Sequence, residues 1–383
     1  MEKSNLAMRS VLKSLLIIAF ISLGFSCKKS VDVLPEKQVV KKMVLVYMEA
    51  NNDLRYDALN SINMMEKGAA DLDGTLLVYI KTSSVRSYLL KIKYDSDVNK
   101  LVSDTVKVFE NSPASDAEFL KDVVKYAQQE YPAESYGLVL WSHATAWAPV
   151  STAIKTKSFG RDTGKEIDII DLKNALPNNL EFIIFDACSM GGVEVLYEFK
   201  DKANYIIASP AETIAESFPY QNITSLLFKT SDQLPNVAKA YYDYYNAYQD
   251  DRQSATVVLI KTSELVPLAT EMKSLMSKSK KYGDKFVSDN IQRLDFTYNF
   301  PVATYDFGDF LEHNFSASDL SLLNAQLSKT ILYKAATSNF IGVPIKKFSG
   351  LTCYIPFSGD VNLTYYKKLQ WYNASGFNIP FDL

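Results

Sequence analysis

Tyr136-Gly137-Leu138-Val139-Leu140-Trp141-Ser142-His143 and Phe182-Ile183-Ile184-Phe185-Asp186-Ala187-Cys188 are the two stretches that decide the fold. Each begins as an apolar run of strand length and ends, within three residues, on a side chain able to do chemistry. The chain has only two histidines and three cysteines. In open α/β sheets, reactive groups collect at the carboxyl ends of strands. A thiol and an imidazole at two such ends predict nucleophilic catalysis, in which the imidazole favours thiolate and later protonates a leaving amine. A helix expected after Cys188, over Gly191 to Phe199, would add its positive end to the stabilisation of the anion.

Outward from these strands, apolar runs alternate with helical stretches, which predicts βαβ units and a mainly parallel sheet flanked by helices. Met43 to Tyr47 starts the sheet. Asp53 to Lys67 carries Leu54, Ala58, Ile62 and Met65 at helical spacing, and Thr75 to Ile80 and Ser87 to Ile92 read as strands. Ser115 and Glu118 form a capping-box pattern opening a helix that ends near Pro132. Ser151 to Gly164 is polar and aperiodic, so an exposed loop is expected there. Asn204 to Ser209 is another strand. Beyond about Gln221 the texture changes, with Tyr- and Lys-rich helices, a strand at Thr256 to Ile260 and late strands around Leu351 to Ile355. The expected organisation is an α/β core over 41–225 and an additional C-terminal α+β region, 226–383, packed on it.

At 383 residues, 47% hydrophobic and a formal charge of −3, the chain is globular, with no sign of nucleic-acid binding. Its 24 tyrosines and 21 phenylalanines fit an aromatic-rich core. Lys3, Arg9 and Lys13 precede an apolar stretch, Leu15 to Phe25, too short to span a bilayer comfortably. Ser26-Cys27 follows, so residues 1–26 resemble a bacterial lipoprotein signal, with Cys27 as the lipidated residue and 27–40 as a tether. Gly24 departs from the commonest form of that signal. The expected location is the cell envelope, periplasmic or surface-exposed, held to the membrane by the lipid. Cys188 and Cys353 then remain, and an exporting route leaves a disulfide between them open. Cys353, in a strand-like run, reads as a buried structural thiol. His313 follows Asp309-Phe310-Leu311-Glu312 on an amphipathic helix, which suits packing better than catalysis.

Leu138 to His143 with Trp147, and Ile184-Phe185-Asp186-Ala187-Cys188-Ser189-Met190-Gly191, resemble the histidine and nucleophile motifs of clostripain-like cysteine peptidases. Similarity extends to Tyr47-Met48 with Asn51-Asn52-Asp53-Leu54, Ala208-Ser209 with Pro219-Tyr220, Tyr305-Asp306-Phe307 with Phe310, and Gly350-Leu351-Thr352 with Tyr354-Ile355-Pro356. The resemblance implies a caspase-like fold, a His143–Cys188 dyad and cleavage of peptide or protein substrates after Arg or Lys. It implies a specificity carboxylate at Asp186, which would bind a cationic side chain through charge-assisted hydrogen bonds; capping of the following helix is the plainer role for that residue. Glu212 and Glu216 add negative potential there or sit in a solvated loop. An activation cut is implied after Pro149, with Lys155, Lys157, Arg161 and Lys165 as candidate sites in what is otherwise a basic loop. Calcium is needed by some relatives, although no EF-hand loop is present and the chemistry requires no metal. Relatives carry glycine after the histidine, where a backbone N–H serves the oxyanion hole. This chain has Ala144, and Ser142 replaces an acidic or amide residue. If that position demands positive φ, alanine is strained and activity impaired, which gives the second expectation: a surface lipoprotein that binds peptides or partners without turnover.

Overall fold

A computed structural model describes residues 37–148, 158–278, 286–296, 302–357 and 359–380. Cys27, Lys155, Lys157, the expected signal and most of the tether lie outside the described residues. Gln38–Leu383 forms one compact unit.

The strands follow the chain as β1 Val40–Glu49, β2 Thr75–Lys81, β3 Arg86–Lys91, β4 Asp104–Glu110, β5 Ala133–Trp141, β6 Phe159–Asp162, β7 Lys165–Ile167, β8 Leu180–Asp186, β9 Ala203–Ala208, β10 Thr256–Lys261, β11 Tyr305–Asp306 and β12 Ile331–Ala336. Nine of them make one sheet in the order β12-β10-β9-β8-β5-β1-β2-β3-β4. The central five, β9 to β2, are parallel, and both flanks are antiparallel. The fold is therefore α/β with a mainly parallel sheet, as expected. The segment beyond 225 supplies two of its strands, β10 and β12.

Period-two alternation divides each central strand between two cores. Met43, Leu45, Tyr47, Leu138, Leu140, Ile183 and Phe185 face one layer, with helices Ala117–Glu130, Ile169–Ala175, Val193–Glu198 and Leu265–Lys278. Val44, Val46, Met48, Val139, Trp141, Phe182 and Ile184 face the other, with helices Arg55–Gly68, Tyr220–Ile223 and Leu234–Asn246. Strands buried on both faces read as continuous apolar runs, which is why they stand out in the sequence.

Three local expectations are corrected. The helix over Ala117–Glu130 is capped by Asp116, whose carboxylate accepts from the Phe119 N–H. Ser115 instead donates its hydroxyl to Glu49, and Glu118 pairs with Lys121. Within the expected loop Ser151 to Gly164, the described part forms β6, which pairs with β7 as a hairpin. Ser158, Phe159 and Gly160 of it are buried. The late strands shrink to Thr352–Cys353, paired with β11. β4 is an addition to the expected strands, a half-exposed edge strand that has too little buried surface to stand out.

Candidate active site

The sheet ends its parallel strands at one edge, and four of those strand ends each deliver one part of a cleft enclosing about 430 Å³. After β1 comes Asp53, after β5 His143, after β8 Cys188, and after β9 the segment from Ala211 to Ser217. His143, Cys188, Asp186, Ala144, Arg161 and Glu212 all line this cleft. His143 and Cys188 thus share one hollow, forty-five positions apart in sequence.

The histidine side is shaped by polar side chains. Asn52 accepts from the Leu54 N–H at 2.9 Å and donates to the carbonyls of Glu49 and Arg161 at 3.0 and 2.8 Å. This folds the chain so that Asp53 Oδ1 lies 2.9 Å from His143 Nε2. Partial burial works against ionisation, yet the hydrogen bond and charge of His143 hold the Asp53 carboxyl below its ordinary value. Ser142 donates its hydroxyl to Glu49 O at 2.7 Å and so ties the ends of β1 and β5 together.

The β6–β7 hairpin closes this side. Asp162 accepts from Lys81 Nζ at 2.6 Å, Asn51 Nδ2 at 2.7 Å and the Ala114 N–H at 3.1 Å, with the Lys81 and Asp162 side chains both buried. Gly160, at φ +81°, lies directly against the Glu49 carboxyl, where a Cβ would collide. Burial is the main reason that Glu49 is pushed up to about 8.

On the cysteine side, Sγ of Cys188 accepts from the Thr213 N–H at 3.3 Å, with the Thr213 hydroxyl at 3.6 Å. Burial pushes the thiol up, and the Thr213 bonds offset only part of that. The expected thiolate is therefore not favoured in this arrangement: among the described residues the sulfur bonds Thr213 and the imidazole bonds Asp53. Helix Val193–Glu198 begins five residues beyond the cysteine, with Gly192 as its cap. Asp186 does not cap it. Its Oδ2 accepts from Ser217 Oγ and Tyr220 OH, both at 2.8 Å, and from the Phe218 N–H at 3.4 Å. Burial outweighs these donors and pushes the Asp186 carboxyl up to about 6.

Ala144 has no positive φ; that conformation falls instead to Ala146 (φ 60°) and to Ser189 (φ 59°), directly after the nucleophile. The expected strain at alanine is thus absent. Ala144 bridges Phe159 through the bonds Gly160 N–H to His143 O and Thr145 N–H to Ser158 O, so its own N–H lies outside that ladder.

The remaining candidates separate. Glu212 is buried at the cleft and accepts from the Phe296 N–H at 3.1 Å. Glu216 is exposed and does not line the cleft. Arg161 sits within β6 with its carbonyl bonded to Asn52, and Lys165 is exposed in β7, so a cut at either falls in paired strand. Cys188 and Cys353 are both free, and Cys353 is buried. His313 donates Nδ1–H to Asp309 O at 2.9 Å, within its own helix and away from the cleft lining. Among the described residues no group of three or more His, Cys, Asp or Glu is placed to hold a metal.

Asp53, Thr213 and the Ser217–Tyr220 donors were missed as site residues. Asp53 carried a usable signal, a polar run directly after the first buried strand. Thr213 carried none.

Comparison with known proteins agrees with this geometry. The chain is 25% identical over 220 residues to clostripain from Hathewaya histolytica, a match covering 48% of this chain and 41% of that protein. It thus spans less than half the length of that curated relative. An inactive zymogen C11 protease from Parabacteroides distasonis superposes with a TM-score of 0.77 at 29% identity, over 88% of this chain and 99% of the other. A secreted C11 cysteine protease from Bacteroides thetaiotaomicron, in complex with an irreversible peptide inhibitor, gives 0.75 at 26% identity over 88% and 99%. The clostripain family model matches residues 46–374, nearly the whole described unit, and the chain belongs to the clostripain family of cysteine peptidases.

Proposed function

We propose that this protein is an exported, lipid-anchored cysteine endopeptidase that hydrolyses peptide bonds after Arg or Lys through Cys188 and His143. The observation that carries this reading is the cleft itself, in which a thiol, an imidazole and a buried carboxylate converge at the carboxyl edge of a parallel sheet. With Nε2–H donated to Asp53, the lone pair of the neutral imidazole is on Nδ1, which is then the atom that accepts the thiol proton. The sulfur attacks the carbonyl carbon, and the Ala144 N–H is the donor assigned to the oxyanion in this reading. His143 returns the proton to the leaving amine, leaving a thioester; it then activates water, which releases the acid and regenerates the thiol.

Asp186 is the proposed selector of the cationic side chain. An incoming guanidinium or ammonium supplies a counter-charge that the buried carboxylate does not receive from the described residues, so binding also favours its ionised form. Glu212 adds negative potential at the same wall. The raised thiol and the separate pairing of His143 and Cys188 fit a chain not yet activated. The proposed activating cut lies at Lys155 or Lys157, ahead of the docked β6–β7 hairpin. No step needs a metal, and calcium has no assigned role in the chemistry. The lipid on Cys27 would hold the enzyme at the cell envelope, where peptides and proteins are its partners.

Reporter peptides ending in Arg, Lys, Ala or Asp, incubated with the purified protein and with Cys188→Ala, test this. Cleavage of the cationic pair alone, abolished in the variant, is expected. Equal rates for the two proteins, each first cut between residues 149 and 158, would overturn it. Peptide binding without turnover in a chain already cut between residues 149 and 158 would instead favour a binding lipoprotein.

A further inference from the structure

A two-residue hairpin contributes Phe340 and Ile341 to the lining of the cleft. Asn339–Phe340 pairs with Val343–Pro344 in antiparallel register, and the central residues Ile341 and Gly342 have φ of +43° and +77°. Such a turn requires positive φ at both positions and is normally built from Asn-Gly or Gly-Gly. Isoleucine is among the residues least suited to it, because its branched Cβ crowds the backbone there. Burial does not compensate, since Ile341 is 54% exposed. A strained apolar side chain is thus held out into solvent.

The turn is nonetheless firmly held. The Ile341 N–H donates to Ser254 Oγ at 2.7 Å. Phe340, only 1% exposed, stacks on Phe296 at 4.9 Å and packs with Ala211 and Leu294. Phe296 in turn gives its N–H to Glu212, in the cysteine wall. Phe340 and Ile341 both line the catalytic cleft, together with Ile214.

Sheet order says which half of a substrate this wall meets. Along the strand-end edge come His143 after β5, Cys188 after β8, the segment from Ala211 to Ser217 after β9, and Ser254 just ahead of β10. Ile341, bonded to Ser254, lies on the opposite side of the nucleophile from the imidazole. The leaving amine must face His143 to be protonated, so the acyl half of the substrate extends toward Thr213 and Ile341. With the cationic side chain directed at Asp186, the next apolar surface belongs to the residue before it.

We infer that Ile341 forms the apolar wall of a subsite for the residue immediately preceding the cleaved Arg or Lys, and that this subsite selects a branched aliphatic or aromatic side chain there. The inference rests on the endopeptidase reading above. Strain at Ile341 is then the conformation that presents the side chain to substrate.

The test compares kcat/KM for two reporter peptides, one with Leu-Arg and one with Gly-Arg before the cut, on the full-length protein, on Ile341→Asn and on Ile341→Val. The wild-type protein is expected to prefer Leu-Arg by about tenfold or more, the scale on which an apolar pocket discriminates. Ile341→Asn should bring that ratio close to one with unchanged or higher Tm, because Asn-Gly suits the turn. Ile341→Val should keep most of the preference. An unchanged ratio in Ile341→Asn, or equal loss on both peptides, would overturn the subsite while leaving the endopeptidase reading intact. Failure of wild-type protein already cut between residues 149 and 158 to cleave either peptide would remove that reading, and the subsite with it.

Discussion

The two walls of the cleft are built from different materials. On the histidine side, a buried ion pair between Lys81 and Asp162, with Asn51 and Asn52, locks a hairpin against the loop that carries Asp53. On the cysteine side, the hydrogen-bond partners of the Asp186 carboxylate among the described residues are neutral, chiefly the hydroxyls of Ser217 and Tyr220, with Tyr241 and Tyr245 close by. The first wall is neutralised internally and serves as scaffold. The second, among the described residues, holds its carboxylate with neutral donors alone, and a cationic substrate would bring the opposite charge. A buried charge already paired is costly to break, whereas one held without a counter-ion costs stability to keep.

That contrast can be broken at either wall. Lys81→Ala leaves Asp162 buried without its cation, and an unfolding titration at pH 7 should show a loss of about 3–5 kcal/mol. Asp186→Asn should do the reverse. Its carboxyl binds a proton more tightly folded than unfolded, so the stability this contributes is complete below about pH 4 and is lost as pH rises through about 6. Removing it should therefore stabilise the fold above pH 6, by up to about 3 kcal/mol. The same substitution should lower kcat/KM on Arg and Lys peptides about 100-fold, measured against an uncharged reporter. Destabilisation by Asp186→Asn would mean that its role is structural.

Smaller effects sharpen the comparison. Asp53 is well exposed, so Asp53→Asn should leave stability within about 0.5 kcal/mol. It should lower kcat about tenfold by loosening the imidazole's orientation, a fraction of what general acid–base catalysis contributes. The smallest expected signal is in the pH profile. kcat/KM on cationic peptides should rise through about pH 6 as Asp186 ionises, and Asp186→Asn should lack that limb.

The central strands were legible because burial on both faces makes them continuous apolar runs: β1, β5, β8 and β9 were all visible. His143 and Cys188 were legible for the related reason that they follow those runs closely, whereas Asp186 was singled out through the family resemblance. The β6–β7 hairpin was not legible, because Asp162 in it is held by a partner 81 residues earlier, Lys81, and its own residues look like loop. The cap at Asp116 rather than Ser115 turned on Glu49 claiming the serine hydroxyl, a contact between distant segments. Thr213 and Ile341 reach the cleft only through sheet order, which places β9 and the start of β10 beyond the nucleophile. The worry over Ala144 came from a family glycine, but the backbone places its positive φ two residues later, at Ala146.

The central claim is that Cys188 is a nucleophile in a cleft selective for positive charge. Its most direct test is mass spectrometry of the full-length protein after reaction, under reducing conditions, with a thiol-reactive peptide ending in Arg, beside the same reagent ending in Ala. One adduct, on Cys188 and formed with the Arg reagent alone, is the expected result. Equal labelling by both reagents, or labelling of Cys353 with Cys188 left unmodified, would contradict the account.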